Sequence, residues 1–150
     1  MIYLENVDIK IDKFHDIDSI IRFNLFKYNK ENCDYIKNNS SYAHNHKKCF
    51  NVGLFLDDIC IGGALVMIYF NWYHLSDFCI DEKYRNLGFG SKIMEYVEKI
   101  VKENNALGIK VDSWDYQAPS FYEKLGYKKW AEFKDCPPGT VHYYFYKKIN

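Results

Sequence analysis

The sequence lacks a charge excess, a cysteine framework and any long apolar run. Its 20 basic and 20 acidic side chains cancel to zero net charge, whereas a protein that mainly binds nucleic acid usually carries a basic excess. The five cysteines are scattered and never paired as C-x-x-C, which argues for reduced thiols in a cytoplasmic setting. No stretch is long and apolar enough for a transmembrane helix, and no signal peptide is visible. We therefore expect a cytoplasmic protein with no nucleic-acid partner and no membrane partner.

The chain contains enough hydrophobic residues to form one hydrophobic core. It contains 150 residues, of which 48% are hydrophobic, and it shows neither repeats nor a linker. We therefore expect a single domain over residues 1–150.

Hydrophobic periodicity predicts an α/β (α+β) domain, with a mixed sheet flanked by helices. Helical spacing covers Phe14–Tyr28, Lys92–Lys102 and Ala118–Leu125, and a loop is predicted over Asn29–Lys48. The strand after the middle helix must return parallel to the strand before it, which gives a β-loop-α-β unit. The predicted strands are Tyr3–Ile11, Phe50–Leu56, Ile59–Tyr69, Trp72–Ile80, Leu107–Ser113, Tyr127–Phe133 and Val141–Tyr146.

Alternation along Trp72–Ile80 predicts which side chains share a face of the sheet. Even-numbered residues, His74 and Phe78 among them, are expected on one face, and odd-numbered ones, Asp77 among them, on the other. In the helix Lys92–Lys102, the predicted buried stripe has Met94 at its margin. Glu98 and Lys102 are expected to form a solvated i,i+4 pair.

Three residues in the polar loop suggest a metal site. His44, His46 and Cys49 are all of the types that bind zinc. A fourth ligand and a C-x-x-C knuckle are both missing, so we expect a solvated loop and no metal.

A glycine-rich turn stands between a predicted strand and a predicted helix, in the stretch Tyr84-Arg85-Asn86-Leu87-Gly88-Phe89-Gly90-Ser91. Bare backbone N–H groups and the positive pole of the helix dipole make such a turn a seat for a phosphate. Gly88 and Gly90 let the backbone approach an anion closely, and Arg85 adds a positive charge. The alternative is a tight turn with no ligand, because glycine motifs of this length have false positives.

A second stretch, Ala118-Pro-Ser-Phe-Tyr-Glu-Lys-Leu-Gly-Tyr127, follows the glycine turn. Together with Arg85-x-x-Gly88-x-Gly90, it resembles the GNAT superfamily of acyl-CoA-dependent N-acetyltransferases, whose pyrophosphate loop and late helix stand in this order. The resemblance covers roughly Cys49 to Lys148. It departs at Asp115, where many members carry Asn.

The resemblance implies an acyl-CoA site and a direct transfer from acetyl-CoA, as co-substrate, to a primary amine of a small molecule or peptide. The pyrophosphate would lie on Arg85, Asn86, Leu87, Gly88, Phe89, Gly90 and Ser91. The pantetheine would pair like a strand in the splay between the strand ending near Ile80 and Leu107–Ser113, beside Phe78, Cys79 and Ile80. A backbone N–H there would polarise the thioester carbonyl.

The resemblance also implies catalytic residues. Tyr122 matches the family's usual general acid, which protonates the departing sulfur. The base is open between His74, at a position where some members place Glu, and Asp77. Cys79 suggests a covalent route, but nothing marks a base for it.

Two other functions fit parts of the pattern. An acyl-CoA sensor of the same fold would keep the glycine turn without needing Tyr122 or a base. An unrelated nucleotide-binding protein with a Walker loop would need Gly-Lys-Ser/Thr, whereas Gly90-Ser91-Lys92 has the wrong order. The acceptor and the chain length of the acyl group stay open, as does the oligomeric state, with a homodimer as one possibility.

Overall fold

A computed structural model describes residues 17–38 and 48–150, with backbone alone at Lys48 and Cys49. The chain divides into two compact units, residues 1–44 and residues 45–150. The predicted strand Tyr3–Ile11 lies outside the described residues. His44 and His46 also lie outside the described residues, so the suggested metal site is not tested.

The first unit contains two helices, α1 (Asp18–Asn32) and α2 (Asp34–Asn38), and none of their residues is buried. The helix predicted over Phe14–Tyr28 is confirmed, with later bounds. The loop predicted over Asn29–Lys48 is wrong at its start, where α1 continues to Asn32, and over α2. Asp34 in its first turn and Lys37 in its last turn match the two poles of the helix dipole, which favours a helix despite the weak apolar periodicity.

The second unit is a mixed six-stranded sheet in the order β1-β2-β3-β4-β6-β5, and it confirms the predicted fold class. Neighbouring strands are antiparallel except β3 and β4, which are parallel as predicted. Asp57 and Asp58 both adopt positive φ in the predicted hairpin turn. The strands are β1 (Lys48–Leu56), β2 (Ile59–Tyr69), β3 (Trp72–Ile80), β4 (Gly108–Trp114), β5 (Lys128–Lys134) and β6 (Val141–Lys148).

Two further helices complete this unit, α3 (Phe89–Glu103) and α4 (Pro119–Lys124), with a 3₁₀ turn at Glu82–Tyr84. The buried side chains of α3 are Ile93, Met94, Val97 and Val101. Met94 is fully buried rather than marginal, because its polarisable side chain fills the centre of the core between helix and sheet.

Glu98 of α3 corrects a second prediction. Its carboxylate accepts from Nζ of Lys147 on β6 at 2.9 and 2.8 Å, and from the hydroxyl of Tyr127 at 3.2 Å. Nζ of Lys147 also donates to the carbonyl of Leu125 at 2.9 Å. Glu98 therefore ties α3 to β6 and to the end of α4 instead of pairing with Lys102 in solvent.

A β-bulge in β3 overturns the predicted alternation. Leu65 pairs with Asp77 but Val66 pairs with Leu75, so Ser76 is an extra residue on β3. The Ser76 hydroxyl donates to the carbonyl of Leu65 at 3.2 Å, which stabilises the irregular pairing. Paired residues share a face of a sheet, so the bulge moves every later residue of β3 to the other side.

The side chains of β3 lie on two different faces of the sheet, called the helix face and the polar face below. The helix face carries Tyr73, Leu75, Phe78 and Ile80, which pack in the same core as α3. The polar face carries His74 and Asp77, with Asp112 of β4 and His142 of β6. The prediction that Asp77 lies opposite His74 is wrong, because the extra residue brings both onto the polar face.

Candidate active site

The parallel pair β3–β4 separates part-way along. Pairing runs from Trp72 with Gly108 to Leu75 with Val111 and ends there. Beyond that point β3 keeps its partner β2 through Phe78, Cys79 and Ile80, while β4 keeps β6. The two strands therefore leave a splay, in which each presents one backbone edge that the other does not fill.

The glycine-rich turn follows β3 directly, between the 3₁₀ turn and α3. Asn86 and Gly88 have φ values of 62° and 81°, and Gly88 is the N-cap of α3 without a side-chain cap. The first turn of α3 contains no acidic residue. Within the described part of the chain, no acceptor is recorded for the backbone N–H groups of Asn86, Leu87, Gly88, Phe89, Gly90 and Ser91.

The turn therefore supplies several amide donors without recorded acceptors at a helix N-terminus. Asn86 and Gly88 are both left-handed, and turns with left-handed residues are typical of anion-binding nests. The dipole of α3 adds positive potential at the same place. The turn therefore fits a phosphate group on its own geometry.

Gly90 has a packing reason as well as a binding one. A Cβ added there would lie 3.2 Å from Cζ of Phe121 and 3.5 Å from Cζ of Phe78. These two rings stack at 5.6 Å between centroids, with 17° between their planes. The aromatic pair thus joins α4 and β3 underneath the glycine turn.

Arg85 holds the turn against the sheet. Its Nε donates to the carbonyl of Ile80 at 2.9 Å, so part of the guanidinium fixes the turn at the end of β3. The side chain is nevertheless exposed, which leaves its charge next to the amide groups.

Tyr122 lies on the helix face, packed by α4 against the core. It is buried, 6% exposed, with its ring 6.0 Å from that of Phe145 and 5.9 Å from that of Tyr127. No hydrogen-bond partner of its hydroxyl is recorded among the described residues. Burial raises the pKa of Tyr122, and the negative charge of Asp112 raises it further, so the hydroxyl stays protonated at neutral pH.

The polar face carries a hydrogen-bonded network centred on Asp112. Its Oδ1 lies 3.0 Å from Nε2 of His74, and its Oδ2 lies 2.7 Å from Nε2 of His142. The Tyr144 hydroxyl lies 3.2 Å from Nδ1 of His142. The hydrogen bond from His74, opposed by burial and supported by His142, holds the pKa of Asp112 below its ordinary value.

Of these network residues only His74 was expected at the site. Asp112, His142 and Tyr144 were missed, because their contacts depend on the register of β4 and β6. Asp112 pairs with Tyr144, and Trp114 with His142. In the sequence, the polar side chains of β4 and β6 stand at every second position. This pattern is also typical of an ordinary solvent-exposed face of a sheet.

The other expected residues have fewer contacts. Asp77 is exposed, and neither a hydrogen bond nor an ion pair is recorded for it within the described ranges. Cys79 is an exposed free thiol whose Sγ lies 3.6 Å from the carbonyl of Ile80. An open groove of about 720 Å³ runs beside them and is lined by Gly62, Gly63 and Phe78 among others.

The comparisons with known proteins decide the family. The model of the acetyltransferase (GNAT) family matches residues 14–127, which is more than half of the chain. The chain belongs to the GNAT acetyltransferase family. The motifs of the glycine turn and of α4 both lie within the matched residues.

One curated relative and two solved structures are most informative about this GNAT protein. Blasticidin-S acetyltransferase of Streptomyces morookaense is 32% identical over 89 residues, covering 59% of this chain and 65% of that protein, which is less than two thirds of its length. An acetyltransferase structure from Bacillus cereus ATCC 14579 has a TM-score of 0.72 at 25% identity, covering 98% of this chain and 99% of that one.

The second solved structure contains a bound ligand. It comes from Bacillus anthracis strain Ames, is assigned as a streptothricin acetyltransferase and was solved in complex with acetyl coenzyme A. Its TM-score is 0.57 at 25% identity, covering 63% of this chain and 58% of that one.

None of the helices in residues 17–38 and 48–150 is long and apolar enough to cross a membrane. In the same ranges no group of three or more His, Cys, Asp or Glu side chains is arranged to hold a metal ion.

Proposed function

We propose that this GNAT protein is an acetyl-CoA-dependent N-acetyltransferase that acetylates a primary amine of a small molecule or peptide by direct transfer. The observation that carries the proposal is the splay of β3 and β4 directly before a turn of free backbone amides. The splay would accept an extended chain beside an unpaired strand edge, and the glycine turn next to it would bind a phosphate group. When bound, acetyl-CoA supplies an acetyl thioester, whose carbon–sulfur bond breaks as the amine nitrogen bonds to the acetyl carbon.

The pyrophosphate of acetyl-CoA would lie on the turn formed by Arg85, Asn86, Leu87, Gly88, Phe89, Gly90 and Ser91. Free N–H groups and the α3 dipole attract its charge. The pantetheine would follow the edge of β3 at Phe78, Cys79 and Ile80, which the splay leaves without a partner on β4. The acetyl coenzyme A complex of the Bacillus anthracis structure supports this choice of co-substrate.

Tyr122 would be the general acid, giving its hydroxyl proton to the departing sulfur. Burial raises the pKa of Tyr122, so the hydroxyl carries its proton at neutral pH and can act as a donor. The hydroxyl makes no competing hydrogen bond within the described residues. His74 and Asp77 are the candidates for the base on the polar face.

A small amine is the favoured acceptor. The names of two similar proteins, a blasticidin-S and a streptothricin acetyltransferase, point to small molecules. The 720 Å³ groove beside β3 has the size of a small-molecule site. The scattered free thiols make a cytoplasmic location our proposal as well.

The proposal is tested by incubating the protein with acetyl-CoA and a panel of small amines and peptides, and measuring CoA release. Amine-dependent release by the wild type supports it. Binding of CoA without release for any amine would favour an acyl-CoA sensor, and absence of CoA binding would refute the assignment of the site.

A further inference from the structure

We propose that Asp112 is a positioning residue that makes His74 the general base, and that Nδ1 of His74 takes the proton from the acceptor ammonium. This inference rests on the proposed amine acetylation and deepens it, because it chooses between His74 and Asp77 and names the group that sets the tautomer.

The carboxylate determines which ring nitrogen of His74 carries the proton. An ionised carboxylate only accepts hydrogen bonds, so Nε2 of His74, 3.0 Å from Oδ1, must donate. A neutral imidazole has one donor and one acceptor, so its lone pair is then on Nδ1. Within the described residues Nδ1 of His74 has no recorded partner, and the side chain is 31% exposed. His74 therefore presents a basic atom that solvent or an amine can reach.

His142 makes the second contact of Asp112 but is not free to act as the base. Its Nε2 faces Asp112 and its Nδ1 faces the Tyr144 hydroxyl. Its ring lies 4.0 Å from that of Trp114, with 4° between the planes, and Nε1 of Trp114 donates to the carbonyl of Cys136 at 2.7 Å. The result is a fixed ring that holds the Asp112 carboxylate in the orientation His74 needs.

The network lies where the proposed reaction needs a base. Asp112 is the first residue of β4 beyond its last pair with β3, so it stands at the point where the two strands separate. Tyr122 lies on the helix face, with its ring 6.0 Å from that of Phe145, which pairs with Val111 next to Asp112 on β4. The proposed acid and base thus flank the splay from opposite faces of the sheet.

The proton transfer balances without another reactant. The N–H bond of the ammonium breaks and a bond from the proton to Nδ1 forms, so that His74 becomes an imidazolium. Asp112 stabilises this charge through Nε2, and the proton then passes to solvent. Asp77 shares the face but is an exposed carboxylate with no recorded partner, so no contact orients it.

Several other ionisable side chains share the polar face with His74. Besides His74, the titratable residues on the polar face of β2, β3, β4 and β6 are Tyr69, Asp77, Cys79, Lys110, Asp112, His142, Tyr144, Tyr146 and Lys148. Asp112 is the residue whose hydrogen bond to the His74 ring is recorded among the described residues, so its replacement should have the largest effect on the pH profile.

The decisive variant is Asp112→Asn, which keeps the shape and removes the charge. We expect kcat/KM for the acceptor to fall by roughly 10²-fold, the scale of a general base. We also expect the rising limb of its pH profile to move to lower pH, because the imidazolium loses its neighbouring carboxylate. In His74→Gln this limb should disappear, leaving only the ionisation of the acceptor amine.

The matched control is Glu132→Gln, which neutralises a carboxylate of β5 that is paired with Lys129 and not with a histidine. It should keep the wild-type rate and profile. If Asp112→Asn keeps both, or loses rate only in proportion to the fraction unfolded, the inference is wrong while the proposed function stands. If the wild type acetylates no amine, the proposed function fails first and the inference with it.

A second readout does not need turnover. Nitrogen-15 spectra of histidine-labelled protein report the tautomer of each neutral ring, and the His74→Gln variant assigns the signal. We expect a proton on Nε2 of His74 in the wild type. A proton on Nδ1 would overturn the inference, whatever the kinetics show.

Discussion

Replacing Tyr122 by Phe removes one hydroxyl and leaves the ring in place. The ring contacts, to Phe145 at 6.0 Å and Tyr127 at 5.9 Å, are kept. Because no partner of the hydroxyl is recorded among the described residues, its loss leaves no buried group unpaired. We therefore expect the free energy of unfolding to change by less than about 0.5 kcal/mol, well below the 1–3 kcal/mol of an orphaned partner.

The rate should respond very differently. If Tyr122 protonates the departing sulfur, its removal should slow turnover by roughly 10²-fold or more. Each factor of ten corresponds to about 1.4 kcal/mol of activation free energy, so the chemical effect is about 2.7 kcal/mol. Affinity for CoA should stay the same, since the hydroxyl is not part of the glycine turn.

The chain offers a matched control in Tyr127→Phe, the same change in a tyrosine that is 3% exposed. Its hydroxyl donates to Glu98 at 3.2 Å, so here the substitution does remove a hydrogen bond to a charged group. We expect a loss of about 1–2 kcal/mol, or a melting temperature lower by about 2–8 °C. Turnover well below that temperature should match the wild type.

The assay measures steady-state CoA release, CoA affinity and melting temperature for the wild type and both variants. The reasoning predicts a slow but stable Tyr122→Phe and an active but less stable Tyr127→Phe. Burial raises the pKa of Tyr122, so the wild-type rate should show no loss from its ionisation below about pH 10. An active Tyr122→Phe with unchanged CoA affinity would refute the role of this hydroxyl.

Three further outcomes are expected. Acetyl-CoA at a hundred times its dissociation constant should raise the free energy of unfolding by about 2.7 kcal/mol, which corresponds to a rise in melting temperature of about 5–10 °C. Adenosine should raise the melting temperature much less. An unchanged melting temperature with millimolar CoA would contradict the proposed binding site. Lys147→Met removes the bonds to Glu98 and Leu125 and should cost about 1–2 kcal/mol in urea unfolding, whereas an unchanged midpoint would mean that the contact contributes nothing. The pKa of Asp112 is lower in the folded protein than its ordinary value of 3.8. The ionised carboxylate therefore stabilises the fold above pH 3.8, and this stabilisation is lost as the pH falls through the lower pKa of the folded state. The stability difference between wild type and Asp112→Asn should therefore shrink below pH 3.8, and a difference that grows there would contradict the reasoning.

Local patterns predicted the sheet well. The bounds of β2 and β3 follow from the apolar runs and from Asp57 and Asp58, which tolerate positive φ. The parallel return of β4 follows from the chirality and length of the connection through α3. These features depend on neighbours in sequence, which is why the sequence carries them.

Features that depend on pairing between distant residues were not predictable in the same way. The extra residue at Ser76 shows only in the register with β2, and it reverses the face of Asp77. From the sequence alone Glu98 is predicted to be a solvated helix residue, and its ion pair with Lys147 forms only because β6 packs beside α3. Asp112 likewise becomes a candidate site residue only when β3 and β6 place a histidine on each of its oxygens.

The central claim is that this GNAT protein transfers an acetyl group from acetyl-CoA to a primary amine. The most direct test is mass spectrometry of a panel of primary amines incubated with acetyl-CoA and wild-type protein, with the Tyr122→Phe protein as the parallel sample. Reading product mass avoids the background that the protein's own free thiols give in CoA assays. We predict at least one amine heavier by one acetyl group in the wild-type sample, and far less of it with Tyr122→Phe. Unmodified amines throughout, from a protein that binds CoA, would contradict the claim.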